Sequence, residues 1–297
     1  MYDLIIIGGG PAGIAAGIYA ARKKLKTMLI TKNFIGQVGV SGVIENWLGE
    51  KNIIGPGLML KFEEHLREQE IEIKEENVID VNKEDQFTVK TNNNNFTSKT
   101  IIVATGRKPK KLNIPGESKY TGKGVVYCTT CDAPLFKDKK VIVVGGGNTG
   151  FESAIELTDY AREVLLFEKS SSFNADEILQ QKAIQKNIKA YTNHEITNIS
   201  GNNFLNKINY KNKEKEDTTN VDGIFIQIGS TPITDFIEKL IDLNKEKEIT
   251  INPKTCETKT AGFFAAGDVT DVNYKQIVIA AGEGAKAALS VYNYLKK

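Results

Sequence analysis

At 297 residues the chain has room for two domains of ordinary size, and 40% hydrophobic with 26% charged residues marks it as folded rather than disordered. Lysine and arginine number 39 against 37 aspartates and glutamates, and a formal net charge of +2 argues against a nucleic-acid or membrane partner. Three cysteines are too few for a disulfide scaffold.

Residues 1–7 lead straight into a strand, without the basic start, apolar centre and small-residue cleavage site of a signal peptide. No apolar run approaches the roughly 18 residues that span a bilayer. The expectation is a cytoplasmic protein. Residues 3–7 read as a buried parallel strand. Gly8-x-Gly10-x-x-Gly13 then opens a helix of small residues, 14–22, with Pro11 and Ala12 inside the turn. Glycines at this spacing allow a tight turn, close approach to a pyrophosphate and close helix–strand packing; the helix amino end offers free N–H groups to phosphate. The following strand, 26–31, ends in Thr31-Lys32 rather than in an acid, so the acidic ribose contact is missing from this first site.

Helical spacing returns over 57–70, where His65 reads as a surface histidine, and 71–103 reads as meandering strands with a polar turn at 92–95. Residues 100–104, with Thr105-Gly106 and Pro109 beyond them, close the first half. After Cys128-Thr129-Thr130-Cys131-Asp132 the pattern restarts: strand 139–144, turn Gly145-x-Gly147-x-x-Gly150, helix 148–160, strand 164–167. This strand does end in an acid, Glu168, near the spacing of about 20 residues at which a carboxylate meets a ribose. Residues 223–228 with Gly229 and Pro232 echo 100–109, so the chain duplicates one nucleotide-binding fold. The segment 211–220 reads as an exposed hairpin. The tail, with Gly267-Asp268 and a small-residue helix over 275–295, reads as returning to complete the first domain. The predicted fold is α/β, two Rossmann-like three-layer ββα domains with the second inserted into the first. The first takes 1–114 and 245–297; the second takes 115–244, and its two crossings could act as a hinge.

A CxxC between two dinucleotide turns suggests electrons passing between cofactors and on to a dithiol. The other reading is a zinc half-site, but the chain offers only Cys256, His65 and His194 as further soft ligands, none of them paired.

The ordered set Gly8-x-Gly10-x-x-Gly13, Gly36-Gln37, Glu45-Asn46, Ala104-Thr105-Gly106, Cys128-x-x-Cys131-Asp132, Gly145-x-Gly147-x-x-Gly150, Gly267-Asp268 and Tyr274-Lys275-Gln276-Ile277 resembles the low-molecular-weight thioredoxin reductase family. Its close relative, the flavoprotein subunit of alkyl hydroperoxide reductase, is included in that resemblance. The resemblance covers nearly the whole chain. It implies FAD in the first domain, held through Gly8, Gly10, Pro11, Ala12, Gly13, Gly36, Gln37, Asn46, Ala104, Thr105, Gly106, Gly267, Asp268, Lys275, Gln276 and Ile277. A nicotinamide dinucleotide would occupy the second, through Gly145, Gly147, Asn148, Thr149, Gly150, Glu168 and Gly229. A homodimer is implied as well.

The same resemblance implies that hydride passes to the flavin, that Cys131 faces the flavin, and that Cys128 attacks a partner disulfide through a mixed disulfide. Asp132 is then the general acid that protonates a leaving thiolate; its plainer role is a carboxylate at a helix start. Asp268 is expected at the flavin ribitol rather than merely capping a turn. Glu152 reads as a surface charge and Cys256 as an unpaired thiol. NADPH-using members follow the second strand with histidine and arginine, whereas here it runs Glu168-Lys169-Ser170, so NADH is favoured over NADPH. The peroxide-reductase relatives carry an additional amino-terminal thioredoxin-like domain; the expectation here is a separate partner, thioredoxin or a glutaredoxin-like small dithiol protein. The competing expectation is a flavin relay fed by ferredoxin or another flavoprotein. The larger pyridine-nucleotide disulfide reductases, with cysteines in the first helix and a carboxy-terminal histidine base, are excluded: no cysteine precedes 128 and no histidine follows 194.

Overall fold

The computed structural model describes the backbone of residues 1–40, 43, 44 and 46–296, and their side chains except at Val40, Val43, Thr130 and Cys131. The motif residue Glu45 and the side chain of Cys131 therefore lie outside the described residues. The chain divides into two units, Met1–Lys108 with Thr231–Lys297, and Pro109–Ser230.

In the first unit, β1 (Tyr2–Ile7) is the centre of the sheet because Leu4, Ile5, Ile6 and Ile7 leave no polar face to turn toward water. It pairs in parallel with β2 (Thr27–Thr31) on one side and Asn95–Val103 on the other, with Ile5 opposite Met28 and Ile101. Glu72–Glu75 extends the sheet beyond β2, and Phe263–Ala265 adds a parallel strand beside Asn95–Val103. Phe87–Thr91 and Val78–Lys83 continue it as an antiparallel meander. The helix α1 (Pro11–Arg22) starts at once after β1, with Pro11 in its first turn, where a missing N–H is harmless. It lies against the last helix, Ile277–Leu295, and the approach is close enough that a Cβ on Gly284 would stand 1.9 Å from the Ala12 carbonyl oxygen.

In the second unit a five-stranded parallel sheet runs in the order Val125–Val126, Gly223–Ile226, Lys140–Val144, Glu163–Phe167, Lys189–Tyr191. One face is covered by the helices Asn148–Leu157 and Glu177–Gln185 through Phe151, Ala154, Leu157 and Ala183. The other is covered by an antiparallel sheet, His194–Gly201, Leu205–Asn212 and Lys215–Asn220, through Ile196, Ile199, Leu205 and Ile208. The three layers are thus β, β and α, and the predicted α/β class with two Rossmann-like domains holds. The expected hairpin over 211–220 is the outer part of this longer three-stranded sheet.

The borders differ from those read in the sequence. The chain leaves the first unit after Lys108 and returns at Thr231, rather than at 114/115 and 244/245. Packing is the reason at both ends. Leu112 and Ile114 join the core of the second unit, while Ile237 and Ile241 are buried in the core of the first. The crossing segments Arg107–Pro109 and Ser230–Pro232 pair as a two-stranded sheet.

Candidate active site

In the first unit the turn after β1 is built by contacts that only glycine permits. Gly8 has φ +121°, and a Cβ there would fall 2.3 Å from the Ala104 carbonyl oxygen; a Cβ on Gly13 would fall 1.9 Å from the Gly8 carbonyl oxygen. Gly10 is different. Its backbone is extended, and an added Cβ would meet nothing within 4 Å. Neither strain nor protein packing requires glycine there, so the open space is a cradle that a phosphate could fill beside the amino end of α1.

Two of the expected flavin residues, Ala104 and Gly267, lie against this turn. Ala104 follows the strand Asn95–Val103 and lies beneath Gly8. Gly267, at φ +77°, is seated so that its Cβ would be 3.0 Å from the Ala12 methyl, and its N–H donates to Glu283 Oε2 at 2.9 Å. Asp268 beside it is half-buried; burial pushes its carboxyl up, against the pull of Lys275 and Arg107. Asn46 and Gln276, far apart in the chain, meet through Asn46 Nδ2 donating to Gln276 Oε1 at 3.3 Å. Ile277 begins the last helix, directly after Gln276. Gly36 has φ +51° and open space where a Cβ would stand, with exposed Gln37 next to it.

Two expected contacts are tied to the protein itself. Thr105 Oγ1 donates to the Ile233 carbonyl oxygen at 2.8 Å, while the N–H of Ile233 donates to the Gly106 carbonyl oxygen at 3.1 Å. Lys275 Nζ donates to the Thr270 carbonyl oxygen at 2.5 Å and lies 3.4 Å from Glu248, which Arg107 also holds at 2.6 Å. Glu283, Arg107 and Glu248 belong to no sequence motif. One signal was available: Glu283 is the lone acid in a helix whose first half is otherwise alanine, glycine and aliphatic.

The second unit repeats the turn. Gly145 has φ +127° with its Cβ position 2.3 Å from the Gln227 carbonyl oxygen, a Cβ on Gly150 would fall 1.9 Å from the Gly145 carbonyl oxygen, and Gly147 again faces open space. Asn148 is engaged in a reciprocal pair with Asp176, donating from Nδ2 at 3.0 Å and accepting at Oδ1 at 2.8 Å, while Thr149 is exposed. Glu168 stands just past Glu163–Phe167, and both its oxygens accept backbone N–H groups, from Gly146 at 2.6 Å and Ser170 at 2.7 Å. Burial raises its carboxyl, but these N–H groups, the Ser170 side chain and the charge of Lys169 together outweigh it and hold the group below the usual carboxylate value. Gly229, at φ +91°, accepts at its carbonyl from the N–H of Lys110 at 3.0 Å, and Glu152 is exposed.

Cys128 caps the short helix Thr129–Asp132 and is disulfide-bonded. Asp132 closes that helix. Its side chain is only 8% exposed, and burial pushes its carboxyl up to about 6, where it can hold a proton near neutral pH. Cys256 is a buried free thiol pushed up by burial to about 11, so it is a protonated thiol at neutral pH. His65 is exposed, while the His194 ring is stacked on Tyr210. Among the described residues no group of three or more His, Cys, Asp or Glu could hold a metal ion, and no helix is long and apolar enough to cross a membrane.

A family model described as pyridine nucleotide-disulphide oxidoreductase matches residues 2–284. Among curated proteins, an alkyl hydroperoxide reductase subunit of Pseudomonas putida is 40% identical over 303 residues, which are 99% of this chain and 58% of that protein. A Bacillus subtilis (strain 168) protein named NADH dehydrogenase is 38% identical over 299 residues, with the same 99% and 58% covered. The chain thus spans a little under three fifths of the length of these relatives. Among solved structures, thioredoxin reductase from Streptococcus pyogenes MGAS5005 is 35% identical with a TM-score of 0.88, covering 100% of this chain and 98% of that one. Lactococcus lactis thioredoxin reductase in its FR conformation is 33% identical with a TM-score of 0.75, covering 100% and 99%. The chain belongs to the pyridine nucleotide-disulphide oxidoreductase family, an enzyme family, and has the two Rossmann-like domains of the thioredoxin reductase structures.

Proposed function

We propose that the protein is a cytoplasmic, homodimeric disulfide reductase that takes electrons from NADH, holds FAD in the first unit, and reduces thioredoxin or a glutaredoxin-like dithiol protein through Cys128 and Cys131. The observation that carries this reading is the disulfide at Cys128, in the same unit as a phosphate-ready glycine turn and on the same short helix as a buried carboxyl that titrates near 6. Cys131, three positions on in the same CxxC motif, is the redox partner we propose for Cys128. The open space at Gly10 and Gly147 supports a dinucleotide in each unit.

A bound flavin supplies the two-electron carrier between a nicotinamide and a disulfide. The chain's own residues do the rest. Glu168, held ionised by two N–H groups, favours a ribose with a free 2′-hydroxyl and repels a 2′-phosphate; the name of the Bacillus subtilis relative agrees with NADH. Once Cys128 and Cys131 are a dithiol, the Cys128 thiolate attacks one sulfur of the partner's disulfide. The bond between the partner's sulfurs breaks, and Asp132 gives its proton to the thiolate that leaves. Cys131 then displaces the partner from Cys128, restoring the intrachain disulfide and releasing the partner as a dithiol. Two electrons leave this chain and two enter the partner.

The test is Cys128→Ser with NADH as donor. Reduction of thioredoxin should fall at least a hundredfold, while electron transfer to ferricyanide persists. Unimpaired thioredoxin reduction by Cys128→Ser overturns the proposal.

A further inference from the structure

The strand Gly223–Ile226 is followed by a polar residue, Gln227, that takes no part in the chemistry above. The strand is flanked by Val125–Val126, which runs on to Tyr127 and Cys128, and by Lys140–Val144, which runs on to Gly145. All three are parallel, so their carboxyl ends share one rim of the sheet, where ligands of open α/β sheets sit. The backbone N–H of Gln227 donates to the Val144 carbonyl oxygen at 2.8 Å, and its own carbonyl oxygen lies where a side chain on Gly145 would begin. Its side-chain Nε2 donates to the Tyr127 carbonyl oxygen at 3.2 Å and to Thr129 Oγ1 at 3.2 Å. A backbone carbonyl can only accept, so the amide nitrogen must be the atom that faces it. Both acceptors are immediate neighbours of Cys128, one on each side, and Thr129 is buried.

We propose that Gln227 is a positioning residue of the dithiol centre, which grips the chain before and after Cys128 and so holds the segment in its disulfide-bonded form. The grip is present in the structure with Cys128 oxidised. On this inference the grip loosens once the pair is reduced, so it weighs on the oxidised side of the dithiol–disulfide equilibrium and makes the bond harder to reduce. The anchor of the grip is the strand end that also backs the Gly145 turn, so the two sites of this unit share one residue. The inference rests on the reading of Cys128 and Cys131 as a redox pair.

The holoprotein can be equilibrated without oxygen in dithiothreitol buffers of graded potential, quenched by alkylation, and its Cys128 peptide weighed. Gln227→Met keeps the length and removes both donors. Gln227→Glu keeps the shape and, ionised, also has no donor for Tyr127. Each should make the disulfide roughly five- to tenfold easier to reduce, as two modest hydrogen bonds would. At about 30 mV per tenfold this is a rise of about 20–30 mV in potential. Thr129→Val, which removes one acceptor, should give a two- to threefold change in the same direction and serves if the Gln227 variants do not fold. A residue that only supports the fold would lower the melting temperature and leave the potential alone. Potentials of both Gln227 variants within twofold of wild type overturn the inference. So does a change in Gln227→Met that Gln227→Glu lacks, because shape and not donation would then be responsible. A wild-type protein with no titratable pair defeats the disulfide-reductase reading as well, whereas a titratable pair unmoved by the variants defeats this inference alone.

Discussion

Asp132 links burial to both stability and rate. Its carboxyl is raised to about 6, so between the unfolded value near 4 and about 6 the folded chain binds its proton more tightly than the unfolded chain does. The stabilisation is complete below about pH 4 and is lost as pH rises through 6, on the order of 2–3 kcal/mol by pH 8. Asp132→Asn cannot ionise. It should melt higher than wild type at pH 8, with the gap closing toward pH 4, and calorimetry across that range checks the sign. The same variant should lose about a hundredfold or more in thioredoxin turnover if Asp132 supplies the proton. Wild type should lose rate as pH rises above about 6, and the variant should lack that fall. At this scale spacing foretold position: Glu168 stands just past its strand and the glycines form the tight turns, as read in the sequence. Gln227, Glu283 and Glu248 were not legible, because their partners lie on distant strands and loops that no local pattern connects to them.

The last helix shows how small residues set the geometry of an element. A methyl on Gly284 would stand 1.9 Å from the Ala12 carbonyl oxygen, so Gly284→Ala must push this helix away from α1 and the turn that α1 carries. A loss of about 1–3 kcal/mol is expected, with less flavin retained on purification. Gly282, two positions earlier and exposed, would meet nothing within 4 Å. Gly282→Ala should therefore stabilise by about 0.5–1 kcal/mol through helix propensity alone. Thermal melts of the two variants, which add the same methyl, should shift in opposite directions. Continuous apolar strands such as β1 were plain in the sequence, since burial on both faces leaves them no polar positions. The sheet over 194–220 was only partly legible. A register shift between Ile196 and Asn198 breaks the two-residue alternation that marks a half-buried strand.

For the whole molecule, the repeated strand–turn–helix pattern foretold two Rossmann-like domains, and the strand ahead of Gly267-Asp268 pairs into the sheet of the first unit. The borders were misplaced because they depend on which core receives Ile114, Ile237 and Ile241, a choice made by packing rather than by any turn signal. In the proposed reductase, electrons entering at the Gly145 turn end on Cys128 and Cys131. The most direct test of that route is to add NADH without oxygen to the flavin-loaded protein, quench by alkylation, and count new thiols by peptide mass. Two new thiols per chain are expected, on Cys128 and Cys131, and none on Cys256. Bleaching of the flavin with the Cys128 disulfide left intact would contradict it.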